Sequence, residues 1–437
     1  MQVERLIALI QALKKMRIKN KNSMRARLGD LVPMVLIFLL GLFPVFSGCS
    51  KKQLLSKNSN RQHYVDVTKH YLPKISGSIE RAKFARVDKD SYRDLILQVQ
   101  DKKGGSRFLV LRNKNGRGFE IPKKNKMVQV PEGKILFFDV GDLNKDFADD
   151  IVIIQKTDEG NRARILFNNK KGYFYKKVDF FLPEILSGID RVKLVDLDHD
   201  HDLDLFFYGE KVVMPDGRPA SNQAQVFINN GKGEFQDLSS LLLTPVPPGI
   251  VGVFFADYSG DGIRDIFLTY RNGRDRLLFN NGLGKFTDNT QGRLPVIKGE
   301  TTHADWADFD GDGDNDLLVL KRQAQSKETG YFLENNGEGR FTKRSAKALT
   351  VEGGSRVYLL DANGNSIPDA LILKAGTTHF LQGQGEWKFS VETIRRLPHA
   401  RRIMAMAFGD FDDDGYLDIF GIDSENRKGK LWLNRFN

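Results

Sequence analysis

The segment Asp308-Phe309-Asp310-Gly311-Asp312-Gly313-Asp314-Asn315-Asp316, followed directly by Leu317-Leu318-Val319-Leu320, decides the fold. Oxygen-bearing side chains stand at alternate positions, glycines sit among them, and an unbroken apolar run follows. Two further copies are nearly as regular: Asp196, Asp198, Asp200, Asp202 and Asp204; and Asp410, Asp412, Asp414 and Asp418. Looser copies hold Asp142, Asn144, Asp146 and Asp150; Asp257, Ser259, Asp261 and Asp265; and Asp361, Asn363, Asn365 and Asp369. The most degenerate has Arg86 in the first slot, then Asp88, Asp90 and Asp94. The final carboxylates fall at 94, 150, 204, 265, 316, 369 and 418, spaced by 49 to 61 residues. Strand-rich units at that period point to a β-propeller.

The alternation has a meaning in coordination chemistry. Ca²⁺ takes about six to eight oxygens from carboxylates, amide oxygens and backbone carbonyls of a tightly curled loop. Positions one, three and five of such a loop point inward, glycine permits the turn, and the ninth-position Asp can close the sphere. The competing reading is a set of solvated acidic turns, since Asp and Gly are common in hairpins. Seven registers on one period weigh against it. The sequence therefore predicts Ca²⁺ at up to six loops: those led by Asp142, Asp196, Asp257, Asp308, Asp361 and Asp410. The 86–94 loop is expected to be empty, because Arg86 puts a cation where a ligand oxygen belongs. His199 and His201 alternate with the aspartates of their loop and read as exposed spacers.

Downstream of most loops comes a second motif, apolar-Asn-Asn-Gly-x-Gly-x-Phe, at Phe227 to Phe235, Phe279 to Phe286 and Leu333 to Phe341. Looser forms run from Asn113 to Phe119, Asn168 to Phe174 and Gln382 to Trp387. Asn and Gly between apolar runs signal a hairpin, because both accept positive φ at small steric cost. Each unit then has four strands. The last unit stops at Leu431-Trp432-Leu433-Asn434 with its fourth strand missing, while His63-Tyr64-Val65-Asp66-Val67-Thr68 is an orphan strand ahead of the first. The prediction is an all-β fold: a seven-bladed propeller over 62–437, with 62–68 completing the blade that starts near Arg401. Closure of this kind removes a bare sheet edge.

As a set, the loops and the Asn-Asn-Gly turns resemble the FG-GAP/VCBS repeats of integrin α-subunit propellers and of many bacterial surface proteins. The resemblance covers about residues 62–437 and implies a calcium-stabilised seven-bladed propeller. It implies no single function, because propellers serve as lectins, lyases, adhesins and assembly scaffolds alike.

The strand entering each loop carries a further pattern. Five residues before each loop's first position stand Arg81, Phe137, Arg191, Gly252, His303, Arg356 and Ala405; three before it stand Lys83, Asp139, Lys193, Phe254, Asp305, Tyr358 and Ala407. The interleaved positions are apolar, Phe84, Val140, Leu194, Phe255, Trp306, Leu359 and Phe408 among them, so that face is expected to be buried. Arg81, Lys83, Arg191, Lys193, His303 and Arg356 are then expected to converge near the central channel as a ligand-binding funnel for an anion. The alternatives are ion pairing with Asp139 and Asp305, or plain solvation.

Of 437 residues, 67 are Lys or Arg and 56 Asp or Glu, a formal net charge of +11. Residues 1–48 alone hold eight basic and two acidic side chains. This basic stretch precedes an apolar run from Leu31 to Phe46 and then Ser47-Gly48-Cys49-Ser50. A positive flank, an apolar stretch and small residues at its end describe an export signal. Pro33, Gly41 and Pro44 argue against a membrane-spanning helix. The lone cysteine after Ser-Gly resembles the bacterial lipobox, departing from it at Phe46, where the family usually has Leu. The resemblance implies a signal peptide over 1–48, lipidation of Cys49 and a tether over 49–61; the basic region is unusually long for a signal, and a start at Met24 would leave the ordinary form Met-Arg-Ala-Arg before the apolar run. Two acyl chains anchor stably where one does not. The expected location is the bacterial cell envelope, on the outer membrane or cell surface if Gram-negative.

One cysteine excludes zinc-finger and CxxC chemistry. No GxSxG, HExxH or phosphate loop is present, so no catalytic residue is expected. Export makes nucleic acid a poor partner despite the charge. The leading reading is a non-enzymatic lipoprotein that binds a glycan or an envelope protein. The runner-up is a carbohydrate-active enzyme of polysaccharide-lyase type, and a third reading is the scaffold subunit of an envelope complex.

Overall fold

The computed structural model describes residues 64–435, apart from 103, 123–133, 176–181, 215–216, 219, 221, 272, 323–329, 346–353, 375–376 and 398–401. The export signal, Cys49 and the tether lie outside the described residues. Among those described, no helix is long and apolar enough to cross a membrane.

Seven four-stranded antiparallel sheets follow one another as the blades of a propeller. The inner strands are Ser78–Ala85, Lys134–Gly141, Arg191–Val195, Ile250–Ala256, Glu300–Ala307, Gly354–Leu360 and Ile403–Gly409, for blades 1 to 7 in chain order. The second strands are continuous apolar runs because they are covered on both faces. In blade 5, Leu317, Leu318, Val319 and Leu320 are all buried. Seven apolar clusters result, one at each junction between blades. The junction of blades 3 and 4, for instance, packs Phe206, Val226, Ile266 and Leu268 together.

Blade 7 closes as the orphan strand predicts. Tyr64–Asp66 is its outermost strand and pairs with the chain's last strand in the register Tyr64 to Asn434, Val65 to Leu433 and Asp66 to Trp432. Tyr64 is fully buried, its ring edge-on to Phe380 at 6.2 Å.

The Asn-Gly turns do more than reverse the chain. Asn229 Nδ2 donates to Leu143 O at 2.8 Å, a carbonyl in the Asp loop of the preceding blade. Asn113 reaches Phe411 O in the same way, Asn168 reaches Val87 O, Asn280 reaches Leu197 O, Asn335 reaches Tyr258 O and Asn434 reaches Ala362 O. Blade 6 has Gly383 at that position, and there Trp387 N donates to Phe309 O instead, at 3.3 Å. Six blade junctions therefore carry the same Asn side-chain stitch, and the seventh is closed by a backbone N–H.

One expectation about the inner strands is corrected. The interleaved apolar residues nearest the loops are not buried as a set: Trp306 is 40% exposed, and Phe84, Val140, Leu194, Phe255, Leu359 and Phe408 are half-buried. They sit at the loop ends of the inner strands, where less of the neighbouring blade covers them. The next position back, with Phe138, Val192, Val253, Ala304 and Val357, is the buried one.

Candidate functional site

The Asp loops curl by alternating backbone handedness. In all six loops expected to bind metal, the fourth and sixth residues have φ between +56° and +94°. Glycine fills both places at Gly260 and Gly262 and at Gly311 and Gly313, but Lys145, Phe147, His199, His201, Ser366 and Asp413 adopt the same conformation. In the 86–94 loop neither Lys89 nor Ser91 does. His199 and His201 are exposed, as expected of spacers.

The curl turns backbone N–H groups onto the first-position carboxylate. Asp308 accepts from Gly311 N at 2.7 Å and from Gly313 N at 3.0 Å. The ninth-position aspartates are almost completely buried and join loop to turn. Asp316 Oδ2 accepts from Phe309 N at 3.1 Å, and its Oδ1 from Asn335 N at 2.7 Å. Burial pushes the Asp316 carboxyl up to about 7, against the opposing pull of those amides.

Whether these loops fit a cation is tested by their third-position oxygens. Asn144 Oδ1, Asp198 Oδ1, Ser259 Oγ, Asp310 Oδ1 and Asp412 Oδ1 are all buried without a hydrogen-bond partner. Buried polar atoms are ordinarily satisfied, so the same orphan in five loops marks a place for a ligand. Carboxylates of Asp196, Asp198 and Asp204, of Asp308, Asp310 and Asp316, and of Asp410, Asp412 and Asp418 each lie within 4.8 Å of one another and can hold a metal ion. The loop at Asp361 is different, because its Asn363 Oδ1 already accepts from Asn365 N at 3.1 Å.

Resident cations occupy some acids. Arg435 Nη1 lies 2.6 Å from Asp412 Oδ2 and 3.2 Å from Asp414 Oδ2. Lys145 pairs with Asp202 across blades. In the degenerate loop Arg112 holds Asp88 at 3.0 Å, while Arg86 turns its backbone N–H to Asp149 at 2.7 Å.

At the other end of the inner strands the blades enclose a cavity of about 820 Å³. Arg81, Lys83, Arg191, Lys193, His303 and Arg356 all line it. The structure brings these six together, but they do not remain six free cations. Lys83 Nζ sits 2.7 Å from Asp139 Oδ1, so for this residue internal pairing is realised. His303 is neutral at pH 7: burial lowers its pKa to about 3, helped by the nearby charges of Arg356, Lys193 and Arg191. Among the described residues Asp305 pairs with no lysine and instead accepts from Leu359 N and Trp306 N at 2.9 and 3.0 Å.

Of the other four, Arg191 Nε lies 3.8 Å from Asp190 Oδ1 on its own strand's approach, while Arg81, Lys193 and Arg356 have no ion pair among the described residues. Arg81 Nη2 donates to Leu136 O at 3.0 Å, and its guanidinium lies 4.7 Å over the Phe137 ring. Burial lowers its pKa, and repulsion from Arg356 and Arg191 lowers it further. Arg191 Nη1 donates to Val251 O at 2.9 Å. Lys193 is half-buried and forms no ion pair among the described residues; burial and then Lys83 lower its pKa. Arg356 is exposed to the cavity and is likewise unpaired.

Three features of the cavity escape the sequence pattern. A β-bulge precedes the five-back position in six of the seven inner strands, at Glu80 and Val251 for example. Bulges re-aim the following side chain. An aromatic arc runs Phe254, His303, Tyr358, Phe408 at centroid spacings of 5.4, 6.2 and 5.2 Å. Rim cations Arg271 and Arg322, at the ends of second strands, are both tied to Glu300, at 3.0 and 3.2 Å. A basic residue closing an apolar second strand is the signal that could have found the last pair.

Seven antiparallel blades, each with an Asp-rich loop after its inner strand and six with an Asn-stitched turn further on, define an FG-GAP-type propeller. The FG-GAP-like repeat matches residues 142–207, 212–268, 257–319 and 361–421, more than half of the chain, and the protein belongs to that family. No curated protein matches it in sequence. Among solved structures, BBS1N in complex with ARL6DN is 9% identical with a TM-score of 0.53, covering 86% of this chain and 98% of that one. An Agrocybe aegerita lectin that recognises non-reducing terminal N-acetylglucosamine is 17% identical with a TM-score of 0.48, covering 73% of this chain and 82% of that one. At 9% identity the likeness to BBS1N shows the fold alone.

Proposed function

We propose that this propeller is a non-catalytic binding module of the bacterial cell envelope, tethered through a lipidated Cys49, that captures an anionic ligand in its central cavity. The observation that carries the reading is the convergence of Arg81, Arg191, Lys193 and Arg356 on one cavity, where Lys193 and Arg356 have no carboxylate partner among the described residues. Like charges held together in a partly desolvated site repel, and an anion entering it relieves that repulsion. The Asp loops would hold Ca²⁺ at the other end of the inner strands, so the ion's part is to stiffen the fold, with no contact to the ligand. The first-, third- and ninth-position oxygens of the loops at Asp196 and Asp308 suit that hard cation best.

Two measurements test the proposal. Mass spectrometry of the protein isolated from its own cells should find no peptide from residues 1–23 and a diacylated Cys49; an unmodified Cys49 would end the anchoring reading. Full-length protein in detergent should bind members of a polyanion panel, and Arg191→Ala with Arg356→Ala should abolish it. Retention of binding by the double variant would place the ligand elsewhere.

A further inference from the structure

The cavity is two-sided in its chemistry, and this narrows the ligand. Blades 1 and 3 contribute Arg81, Arg191 and Lys193, with blade 2's Phe137 taken up beneath the Arg81 guanidinium, while blades 4 to 6 contribute the continuous wall Phe254, His303, Tyr358. His303 belongs to the wall and not to the charge, since its imidazole is held neutral with Nδ1 buried and unpartnered. Arg356, on the same strand as Tyr358, adds one cation beside the rings. The wall depends on a missing side chain. A Cβ at Gly252 would come within 2.8 Å of the Phe254 ring, so only glycine there lets the ring lie where it does.

A purely charged polymer such as polyphosphate or an acidic peptide would use the cationic side and leave the aromatic side wet. A ligand with a carboxylate on one edge and an apolar C–H face on the other uses both. Guanidinium forks match planar carboxylates bidentately, and aromatic faces cover apolar ring surfaces. A volume near 820 Å³ falls in the range of about 300–1,000 Å³ usual for small-molecule sites, which suits a few linked sugar rings. We infer that the cavity is a site for a uronate-type acidic oligosaccharide, its carboxylates on Arg81, Arg191 and Arg356 and a pyranose ring against Phe254 and Tyr358. This rests on the anion-binding reading above and makes it specific.

The test is calorimetric titration of the full-length protein with oligogalacturonate, its methyl ester, polyglutamate and inorganic polyphosphate. Oligogalacturonate is expected to bind, and the neutral ester to bind at least about tenfold more weakly. Phe254→Leu keeps an apolar side chain but removes the π-face, and Tyr358→Ala removes the second ring. Both should weaken oligogalacturonate several-fold and leave any polyphosphate binding unchanged, with unaltered thermal melting as the folding control. Should polyphosphate or polyglutamate bind as tightly as oligogalacturonate, with Phe254→Leu indifferent, the sugar assignment is overturned while anion capture stands. Should no anion bind, both readings fall.

Discussion

Asn229→Ala removes one stitch from the ring that joins the blades. The side chain is 3% exposed and makes four hydrogen bonds: to Leu143 O at 2.8 Å across the junction, to Leu203 O at 3.0 Å, and from Gly231 N and Gly233 N at 3.1 Å each. Alanine leaves two carbonyls and two amides without their partner in a place shielded from water. Each such orphan costs about 1–3 kcal/mol, and partial entry of water brings the sum to roughly 3–5 kcal/mol. The adjacent Asn230 is the internal control. Its side chain is exposed and, among the described residues, bonds only within its own turn, to Lys232 N, Glu234 N and Glu234 Oε2. Asn230→Ala should cost about 1 kcal/mol or less. Urea unfolding of both variants at one fixed calcium concentration measures the contrast, with unchanged slope showing that the same surface is exposed. If Asn229→Ala lost no more stability than Asn230→Ala, the stitch would be incidental to a fold held by apolar packing alone.

Three further outcomes are expected. Chelation with EDTA should lower the melting temperature, and Asp310→Asn should reduce that loss while Asp88→Asn leaves it intact; with a dissociation constant of about 10⁻⁴ M and millimolar Ca²⁺, each site is worth roughly 1.4 kcal/mol, read as the calcium dependence of the unfolding midpoint. His199→Gly should raise stability by about 0.5–1 kcal/mol, because a non-glycine residue at φ +66° costs about 1–2 kcal/mol and glycine returns only part of that as chain entropy; a loss on chemical denaturation would contradict the strain. His303 has a folded pKa of about 3, below its ordinary 6.5, so its contribution is complete above pH 6.5 and fades as the pH falls toward 3. Wild type should accordingly lose stability relative to His303→Gln over that interval, and parallel acid-titration curves for the two proteins would refute the neutral, buried imidazole.

Much of this molecule is written in short-range pattern. The Asp loops, the Asn-Gly turns and the orphan strand at Tyr64 recur at fixed offsets, so blade number, strand count and closure follow from the sequence. The convergence of Arg81, Arg191 and Arg356 on one cavity was legible for the same reason, since equal offsets on equivalent strands place side chains at equal heights. What the sequence hides are properties of the surroundings. Nothing local distinguishes His303 from a cation; only the enclosing blades and three neighbouring charges keep it neutral. Lys83 loses its freedom to Asp139 on the adjacent inner strand. The left-handed backbone at Lys145 runs against residue preference, and there, as at His199 and Asp413, the loop curls around its first carboxylate. The bulges that tilt Arg81 and Arg356 exist only in the pairing of two strands.

The closing strand carries one more consequence, which is mechanical. Tension on the chain ahead of Tyr64 would be borne first by the three residue pairs that seal blade 7, so the ring would open like a clasp before any other blade felt the load. The clasp is reinforced where it would slip. Tyr64 Oη donates to Leu417 O at 3.2 Å, Val67 N to Leu431 O at 2.9 Å, and Leu431 N to Thr68 Oγ1 at 2.9 Å. A propeller sealed in this way has its rupture strength set by the five residues from Tyr64 to Thr68, whatever the strength of its seven apolar cores.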